Sequence, residues 1–388
     1  MKTWIFKGLR LLFWGARHKH LVTANVQRIL VIKLCCIGDV LFTTPLLRAL
    51  HANFPRAHID YMVSPWCREL VRANSNVQRI LDFDAYAPAS GWGKLVRGWR
   101  ARQDIRRGCY DVAIVLHRSG LATLLPFLAG VPIRIGWDWQ GQGFSLTHPL
   151  KYRGEEHEVD RALDCLLPLG AGSEGDALEM AVPSDARQFA EAFLQARVAA
   201  GEHGPLVAIF AGGGVNPGTV MNTKRWKPSG YLEVCRELTR AYRARLLFVG
   251  TKSDAEVGDL ILTESELQAT AIRAEGKTDL LQLAALLEMC DLFIGGDSGP
   301  LHLAAAVETP TVSIYGPTDP KRLAPRGAWH RVVRHEVSCA PCYTPDTVHQ
   351  EDVTVCRRGS PVCMLEVTPE AVLDAAEELL HKKGFLKS

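Results

Sequence analysis

Short apolar runs alternate with longer amphipathic stretches over most of the chain. The apolar runs fall into two series, 29–34, 59–63, 80–83, 112–116 and 133–135, followed by 206–210, 245–249, 291–294 and 311–315. Each run has the length of a strand, and each interval is long enough for a helix. This alternation predicts an α/β protein of two doubly wound, Rossmann-like units, each a parallel sheet covered by helices on both faces.

A helical stretch followed by strong helix breakers separates the two series. The stretch opens after Pro183, and the sequence Gly-Glu-His-Gly-Pro at 201–205 ends it. We therefore expect a first domain over 28–183, a linker over 184–204 and a second domain over 205–388. Ligands of such sheets bind beyond the carboxyl ends of the strands, so we expect two facing domains with a binding cleft between them.

The amino-terminal residues 1–27 carry a different pattern, in which aromatic and aliphatic residues are interleaved with basic ones. On a helix, one face would hold Ile5, Leu9, Leu12 and Phe13, and another face Lys7, Arg10 and Arg17. The apolar stretch is too short to span a bilayer. We expect either a basic amphipathic helix on an anionic membrane surface or a helix packed against the body of the protein.

Composition narrows the class of protein. A length of 388 residues with 47% hydrophobic content allows two cores, and a net charge of +3 does not suggest nucleic acid as a partner. No Gly-x-Gly-x-x-Gly follows the first apolar run, which argues against a nicotinamide or flavin dehydrogenase. The Walker phosphate-binding sequence is absent as well. The eleven cysteines, without a signal peptide ahead of them, indicate a reduced, cytoplasmic protein.

Four of the cysteines have a spacing that resembles a metal-binding ribbon. Cys339 and Cys342 form a Cys-x2-Cys pair, and Cys356 and Cys363 follow soon after. The second pair is separated by six residues and not by two, so a structural metal competes with reduced cysteines or a disulfide. We expect no catalytic metal and no cofactor.

Residues 295–302, Gly-Gly-Asp-Ser-Gly-Pro-Leu-His, lie between an apolar run and an alanine-rich segment. The pattern predicts a strand, a small-residue loop and a helix capped by Ser298 or Gly299, with Pro300 at its first position. Free N–H groups and the positive end of the helix dipole would then face an anion such as phosphate. Asp297 is acidic, so we expect it to position the loop or to accept a hydrogen bond from a sugar hydroxyl.

Three motifs, in this order, resemble the ADP-heptose:lipopolysaccharide heptosyltransferases, the ninth glycosyltransferase family. They are K-L-C-C-I-G-D-V-L-F-T-T-P at 33–45, K-R-W at 224–226 and G-D-S-G-P-L-H-L-A-A-A at 296–306, with Y-G-P-T-D-P at 315–320. The resemblance implies two Rossmann-like domains in the GT-B arrangement, facing each other across a cleft. It also implies inversion at the anomeric carbon and no metal requirement.

The resemblance assigns the reaction to two charged residues. Asp39 falls at the position of the family's catalytic base, and Lys224 would compensate the charge that grows on the departing phosphate. From the residues alone, Asp39 would be a cap or turn former and Lys224 a solvated side chain. We expect Asp39 in a loop ahead of a helix that begins near Thr44, with its pKa raised by partial burial.

Further residues are expected around the two substrates. For the donor these are Thr223 beside Lys224, the loop residues Asp297, Ser298 and Gly299, His302 in the first helical turn, and Glu256 or Asp254 for the ribose. For an anionic acceptor they are His117, Arg118 and Arg134. Further candidates are the His157/Arg161 pair, and Trp137 and Trp139 for stacking on sugar faces. Each of these residues is also compatible with an ordinary packing or surface role.

These features together predict an inverting, metal-independent glycosyltransferase that moves heptose from ADP-heptose to the inner core of lipopolysaccharide. It would act in the cytoplasm, peripherally on the inner face of the cytoplasmic membrane, on a lipid-linked core oligosaccharide and without a nucleic acid partner. Two alternatives remain open. One is a transferase of the same fold that uses another nucleotide sugar for a surface polysaccharide, and the other is a non-catalytic nucleotide-sugar-binding protein.

Overall fold

The structure is a computed structural model that describes residues 26–88, 90–197, 204–216, 219–344 and 354–387. The chain divides into two compact units, Met1–Asp176 and Ala177–Ser388. The predicted basic amphipathic helix falls on residues 1–25, which lie outside the described residues. Among the helices that the structure describes, none is long and apolar enough to cross a lipid bilayer.

One parallel sheet and the helices around it form the first unit. Its strands are β1 (Arg28–Ile32), β2 (His58–Val63), β3 (Arg79–Asp82), β4 (Val112–Val115), β5 (Ile133–Asp138) and β6 (His148–Lys151). All neighbouring pairs are parallel, in the order β3-β2-β1-β4-β5-β6. The helices are α1 (Ile37–Leu41), α2 (Thr44–Asn53), α3 (Glu69–Arg72), α4 (Gly91–Gly108), α5 (Gly120–Leu128) and α6 (Glu158–Asp164).

A second parallel sheet forms the centre of the second unit. The strands of this unit are β7 (Leu206–Phe210), β8 (Val215–Asn216), β9 (Thr219–Val220), β10 (Arg245–Phe248), β11 (Ile272–Arg273), β12 (Leu292–Gly296), β13 (Thr311–Tyr315) and β14 (His330–Arg334). The sheet has the order β11-β10-β7-β12-β13-β14, while β8 and β9 form a separate antiparallel pair.

The helices of the second unit flank this sheet in sequence order. They are α7 (Ser184–Gln195), α8 (Pro228–Tyr242), α9 (Ala255–Ile261), α10 (Ser265–Thr270), α11 (Leu280–Glu288), α12 (Gly299–Ala306), α13 (Pro320–Leu323), α14 (Val362–Leu365) and α15 (Pro369–Lys382). Short 3-10 turns at Asn222–Lys224 and Lys252–Asp254 lie in the loops that follow β9 and β10.

The two sheets share one topology, and the prediction of two Rossmann-like α/β units is confirmed. Strands β4, β7, β12 and β13 are buried along their whole length, because helices cover both faces of a parallel sheet. The strand order reverses between β1 and β4 in the first sheet and between β7 and β12 in the second. Such a reversal is where doubly wound sheets bind their ligands.

Three edge strands, β6, β11 and β14, are not marked by the apolar pattern. They read His-Pro-Leu-Lys, Ile-Arg and His-Arg-Val-Val-Arg, and most of their residues are only partly buried. An edge strand has a side that meets solvent, so it lacks the continuous apolar run that identifies a central strand.

Candidate functional site

The reversal of strand order in the first sheet brings two candidate segments together. β1 pairs in parallel with β4, so residues that follow the two strands emerge at the same edge of the sheet. Lys33 and α1 follow β1, whereas His117 and Arg118 follow β4. The sheet therefore places Asp39, within α1, near the basic residues that end the fourth strand.

Asp39 lies inside a short helix and not in a loop. It is the third residue of α1, and α2 begins at Thr44, so the expectation of a loop ahead of the helix is wrong. Asp39 Oδ1 is 3.3 Å from Lys33 Nζ, and Asp39 Oδ2 accepts a hydrogen bond from the Cys36 N–H at 3.4 Å. A carboxylate in the first turn is favoured by the helix dipole. Its side chain remains 27% exposed, so a ligand has access to it.

The charges around Asp39 lower its pKa. Burial by itself would raise the pKa of this carboxyl group, but the positive charges of Lys33 and Arg118 outweigh burial and hold the pKa below the ordinary 3.8. The expectation of a raised pKa is therefore wrong. At neutral pH the carboxylate is ionised, which is the form that accepts a proton.

A solvent-open recess of about 350 Å³ adjoins Asp39 in the first unit. It is lined by Lys33, Asp39, Phe42, Thr43, Leu116, Arg118, Trp137, Tyr152, Glu158, Arg161 and Ala162. Three cations and two carboxylates are among these residues, so the wall carries an excess of positive charge. Three aromatic rings, those of Phe42, Trp137 and Tyr152, complete a surface on which a sugar face can stack.

Glu158 connects the two arginines of this recess. Arg118 Nη1 donates to Tyr152 Oη at 3.2 Å and to Glu158 Oε1 at 3.5 Å, while Arg161 Nη1 donates to the same Glu158 oxygen at 2.7 Å. The Arg161 guanidinium also stacks over the Tyr152 ring at 4.2 Å. Burial opposes ionisation of Glu158, but the two guanidiniums outweigh it and lower its pKa. Glu158 thus fixes both arginines in place.

His117 is half-buried and lies outside the set that lines the recess. Its ring meets the Tyr86 ring edge to face, with 6.5 Å between centroids. The Tyr86 hydroxyl accepts a hydrogen bond from the Cys35 thiol at 3.0 Å, and Cys36 is the residue that precedes α1. His117 is therefore linked through Tyr86 to the segment that carries Asp39.

Arg134 is occupied by the backbone around it. It is 4% exposed, and it donates to the carbonyl oxygens of Ser145 at 2.8 Å, Val131 at 2.5 Å and Pro132 at 3.2 Å. Its guanidinium lies over the Phe127 ring at 5.2 Å, and burial lowers its pKa to about 10. These contacts tie the ends of β5 to neighbouring loops, so we leave Arg134 out of the proposed acceptor site.

Replacing Arg134 with alanine is expected to destabilise the first unit. The change leaves two buried carbonyl groups and a partly buried one without their donor, which costs about 1–3 kcal/mol in the free energy of unfolding. Urea denaturation measures this free energy. As a control, Arg72→Ala removes a 53% exposed arginine that pairs with Glu69, and the expected change is about 0–1 kcal/mol. Equal stabilities of the two variants would contradict the structural role of Arg134.

In the second unit, Lys224 and Asp297 form an ion pair. Lys224 Nζ lies 2.7 Å from Asp297 Oδ2 and 3.3 Å from the Asp297 carbonyl oxygen. Lys224 ends the 3-10 turn after β9, and its side chain is only 14% exposed. It is therefore not a solvated surface lysine. The Tyr343 ring, 5.2 Å from Nζ, flanks it.

Asp297 also contacts His302. His302 Nε2 is 3.4 Å from Asp297 Oδ1, and both side chains are 5% exposed. Burial opposes ionisation of Asp297, but the charge of Lys224 and the hydrogen bond to His302 outweigh burial and hold its pKa well below the usual range. An ionised Asp297 thus orients Lys224 and His302 together, which fits the positioning role expected from the sequence.

The start of α12 leaves its first N–H groups without a side-chain cap. Ser298 occupies the cap position with an extended backbone, but its hydroxyl donates to the Gly296 carbonyl at 3.0 Å. The helix begins at Gly299, and Pro300 follows it in the first turn. The amides and the dipole at this end are therefore available to an anionic ligand, as predicted for a phosphate site.

The loop after β7 needs glycine for its close packing. Gly214 has a φ of +82°, and a Cβ atom at Gly213 would lie 2.1 Å from the Met221 carbonyl oxygen. A Cβ atom at Gly212 would lie 2.3 Å from Asp254 Oδ1. β7 neighbours β12, so this glycine loop and the start of α12 leave the sheet at the same edge.

The remaining donor candidates lie in short turns and in the first turn of α9. Glu256 is exposed near the start of α9, whereas Asp254 is buried and braces its own turn by accepting from the Thr251 N–H at 2.8 Å and the Thr251 hydroxyl at 2.7 Å. Thr223 is half-buried in the turn that carries Lys224. Of the two carboxylates, Glu256 is thus the one that a solvent-borne ribose can reach.

The four clustered cysteines line one solvent-open recess of about 730 Å³ in the second unit, which Thr223 and Tyr343 also line. Burial raises the pKa of the Cys363 thiol to about 11 and also raises that of Cys342. Within the described part of the chain, no group of three or more histidine, cysteine or acidic side chains is arranged to hold a metal ion. The four cysteines adjoin the turn that carries Lys224, because Thr223 of that turn lines the same recess.

Some residues of these sites were not singled out from the sequence. Lys33 had a signal, because a lysine within the apolar run 29–34 needs a counter-charge when it is buried. No feature of the sequence marks Glu158 or Tyr152, because their hydrogen bonds with Arg118 form only in the folded unit. Arg161 and Trp137, expected near the acceptor, do line the recess.

Comparison with known families decides the class of the protein. The model of glycosyltransferase family 9 (heptosyltransferase) matches residues 98–351, well over half of the chain. The chain belongs to glycosyltransferase family 9. The resemblance carried by the three motifs is thus confirmed, and the protein is a glycosyltransferase.

Two relatives in this family align with nearly the whole chain. Lipopolysaccharide heptosyltransferase 2 of Salmonella typhimurium is 28% identical over 368 residues, which cover 92% of this chain and 100% of that protein. Lipopolysaccharide heptosyltransferase 2 of Escherichia coli is 28% identical over 364 residues, covering 91% and 99%.

Solved structures of the family share the fold. The Escherichia coli ADP-heptose lps heptosyltransferase II matches with a TM-score of 0.72 and 24% identity, covering 92% of this chain and 100% of that one. The family 9 glycosyl transferase of Veillonella parvula matches with a TM-score of 0.74 and 23% identity, covering 94% and 100%. At these identities the likeness supports the two-unit α/β fold.

Proposed function

We propose that this family 9 enzyme is an inverting, metal-independent heptosyltransferase that moves heptose from ADP-heptose to the inner core of lipopolysaccharide. The observation that carries the proposal is the alignment of more than nine-tenths of the chain with two proteins named lipopolysaccharide heptosyltransferase 2. The charged groups of the two units supply what such a reaction requires, namely a base and a means of holding a diphosphate.

The first unit would bind the acceptor and activate it. Asp39 is ionised and partly exposed, so its carboxylate can take the proton from an acceptor hydroxyl as that oxygen attacks the anomeric carbon. Arg118 and Arg161, which Glu158 holds in place, would bind an anionic group of the acceptor. Trp137 offers a stacking surface for a sugar ring. His117 would act indirectly, through the Tyr86 ring, which bonds Cys35 ahead of α1.

The second unit would bind the nucleotide sugar and receive the leaving group. As the bond from the anomeric carbon to the phosphate oxygen breaks, negative charge grows on the diphosphate. Lys224 and the amides of Ser298 and Gly299 would stabilise this charge, with His302 donating from the first turn of α12. A fixed lysine and a helix end thus supply the positive charge for which other transferases use a metal ion.

The acceptor is proposed to be a lipid-linked core oligosaccharide at the inner face of the cytoplasmic membrane. The positive excess in the recess beside Asp39 suits an anionic oligosaccharide. Thr223 and Glu256 complete the proposed donor contacts, at the phosphates and the ribose respectively.

A donor panel tests the proposal. The full-length chain is incubated with a deacylated, heptose-acceptor core oligosaccharide and with ADP-heptose or with ADP-, UDP- and GDP-hexoses. We expect release of ADP, a mass increase of one heptose in the acceptor, and a kcat/KM about 100-fold higher for ADP-heptose than for the other donors. Preference for another nucleotide sugar would overturn the proposal and favour a surface-polysaccharide transferase of the same fold.

A further inference from the structure

Helix α4 of the first unit turns its largest apolar side chains towards solvent. Trp92, Leu95 and Trp99 are 76%, 67% and 59% exposed. Their spacing of three and four residues puts them on one side of the helix. The buried side, by contrast, is formed by the smaller residues Ala101, Ile105 and Gly108. A row of three large apolar residues in water is costly unless something covers it.

The same helix is strongly basic around this row. Lys94, Arg100, Arg106 and Arg107 are exposed, and Asp104 is the single acidic residue of the helix. Asp104 pairs with Arg107 at 3.3 Å. At about 100° per residue, Arg106 continues the row of tryptophans and Leu95, and Arg100 and Arg107 flank the row about a quarter turn away. Lys94 points to the opposite side of the helix. The surface is therefore apolar along its centre and cationic along its edge.

The neighbouring helix extends the patch. Arg102 Nε donates to the Leu128 carbonyl at 2.8 Å, which ties the end of α5 to α4. Leu128 is itself 46% exposed. Two arginines of α4 donate to backbone carbonyls, Arg97 to that of Ala87 and Arg102 to that of Leu128. They fix α4 on the unit, while Arg100, Arg106 and Arg107 remain exposed.

We propose that this face of α4 is a docking surface for an anionic lipid bilayer. Tryptophan prefers the boundary between the headgroups and the acyl chains, and exposed lysine and arginine side chains reach the lipid phosphates. The inference rests on the proposed function, because an enzyme that acts on a lipid-linked acceptor must reach the membrane that holds the lipid. It assigns the contact to a defined helix of the first unit, none of whose residues line the recess beside Asp39.

The charge pattern favours a membrane over a second copy of this chain. In a symmetric dimer the same patch would face itself, so the basic residues Arg100, Arg106 and Arg107 would meet like charges. An anionic bilayer satisfies the apolar row and the cations at once. It also needs no shape complementarity from a convex helix.

Quenching by brominated lipid tests the contact directly. The full-length chain is mixed with vesicles of phosphatidylglycerol and phosphatidylethanolamine whose acyl chains carry bromine, and tryptophan fluorescence is recorded. We expect quenching that falls when Trp92 and Trp99 are both replaced by phenylalanine, because these variants still bind but lack the reporting rings. The matched control, Trp329→Phe, alters a 38% exposed tryptophan of the second unit and should leave the amount of emission lost to quenching unchanged.

Vesicle co-sedimentation measures the contribution of the patch to binding. The variant Trp92→Ser, Leu95→Ser, Trp99→Ser should bind anionic vesicles at least about tenfold more weakly than the unaltered chain. Added salt and phosphatidylcholine vesicles should also weaken binding of the unaltered chain, since the cations would lose their partners. Unchanged sedimentation of the triple variant, or unchanged quenching in the phenylalanine variant, would overturn the proposal.

The remaining outcomes separate this inference from the proposed function. Loss of a dimer in the triple variant, measured by light scattering, would assign the patch to a protein interface and overturn the membrane assignment. Transfer to the deacylated acceptor should be the same in the triple variant and the unaltered chain, because that acceptor needs no membrane. Failure of both proteins to transfer heptose would count against the proposed function, whereas the vesicle measurements would still decide the role of α4.

Discussion

Replacing Asp39 with asparagine is expected to lower kcat by about a thousandfold, within the range of 10²–10⁴ that general base catalysis contributes. The amide keeps the shape of the side chain and can still accept from the Cys36 N–H, but it cannot take a proton. Binding of ADP should be unchanged, because the proposed nucleotide contacts lie in the second unit. Steady-state kinetics and ADP titration calorimetry measure the two effects separately.

A second carboxylate of the first unit provides the control for Asp39→Asn. Asp82 pairs with Arg68 and is 44% exposed, so Asp82→Asn should keep nearly full activity. The pH profile adds a further check. Since Lys33 and Arg118 hold the pKa of Asp39 below 3.8, activity should show no acidic limb from this group above about pH 4. An Asp39→Asn enzyme with full turnover would remove the base assignment.

Replacing Lys224 with glutamine is expected to lower kcat by about 10²–10³. The ammonium group is proposed to stabilise the charge that appears only as the diphosphate departs, so kcat should fall more than donor affinity. The variant should also lose stability by about 3–5 kcal/mol, because it leaves the buried Asp297 carboxylate without its main counter-charge. Kinetics and thermal unfolding report the two losses.

A double variant separates the chemical effect from the structural one. Lys224→Gln combined with Asp297→Asn removes both charges, so unfolding stability should recover much of what the single variant loses, while turnover should stay low. Lys227→Gln, three residues further along the chain, is the matched control and should leave activity within about twofold. Recovery of turnover in the double variant would show that Lys224 acts only by balancing Asp297.

The amino-acid pattern anticipated the central architecture of both units because burial of a parallel strand on two faces leaves an unmistakable apolar run. The runs at 206–210 and 311–315 coincide with β7 and β13, and others differ from the observed strands by one to three residues at an end. The predicted start of α7 after Pro183 is also observed. The edge strands β6, β11 and β14 were not predicted, because most of their residues are only partly buried and form no continuous apolar run.

The pattern of residues 1–27 predicts a membrane contact, whereas the sequence of α4 does not. Its residues read as a polar helix, and nothing in their order says which side packs on the sheet. Only the fold shows that Ala101 and Ile105 face inward and that Trp92 and Trp99 face water. Spacing along a helix gives the angle between two side chains, but the element that packs against the helix decides which side is buried.

Taken by itself, the sequence determined the α/β class, the strand-loop-helix start at Ser298 and the family motifs that contain Asp39 and Lys224, because these depend on local spacing. The tertiary structure alone decided which distant charges meet. It placed Arg118 near Asp39 to lower its pKa, joined Glu158 to two arginines, and turned Arg134 inward onto backbone carbonyls. Electrostatic contacts depend on distances in space. Residues far apart in the chain come close only when the strands that carry them pair in the sheet.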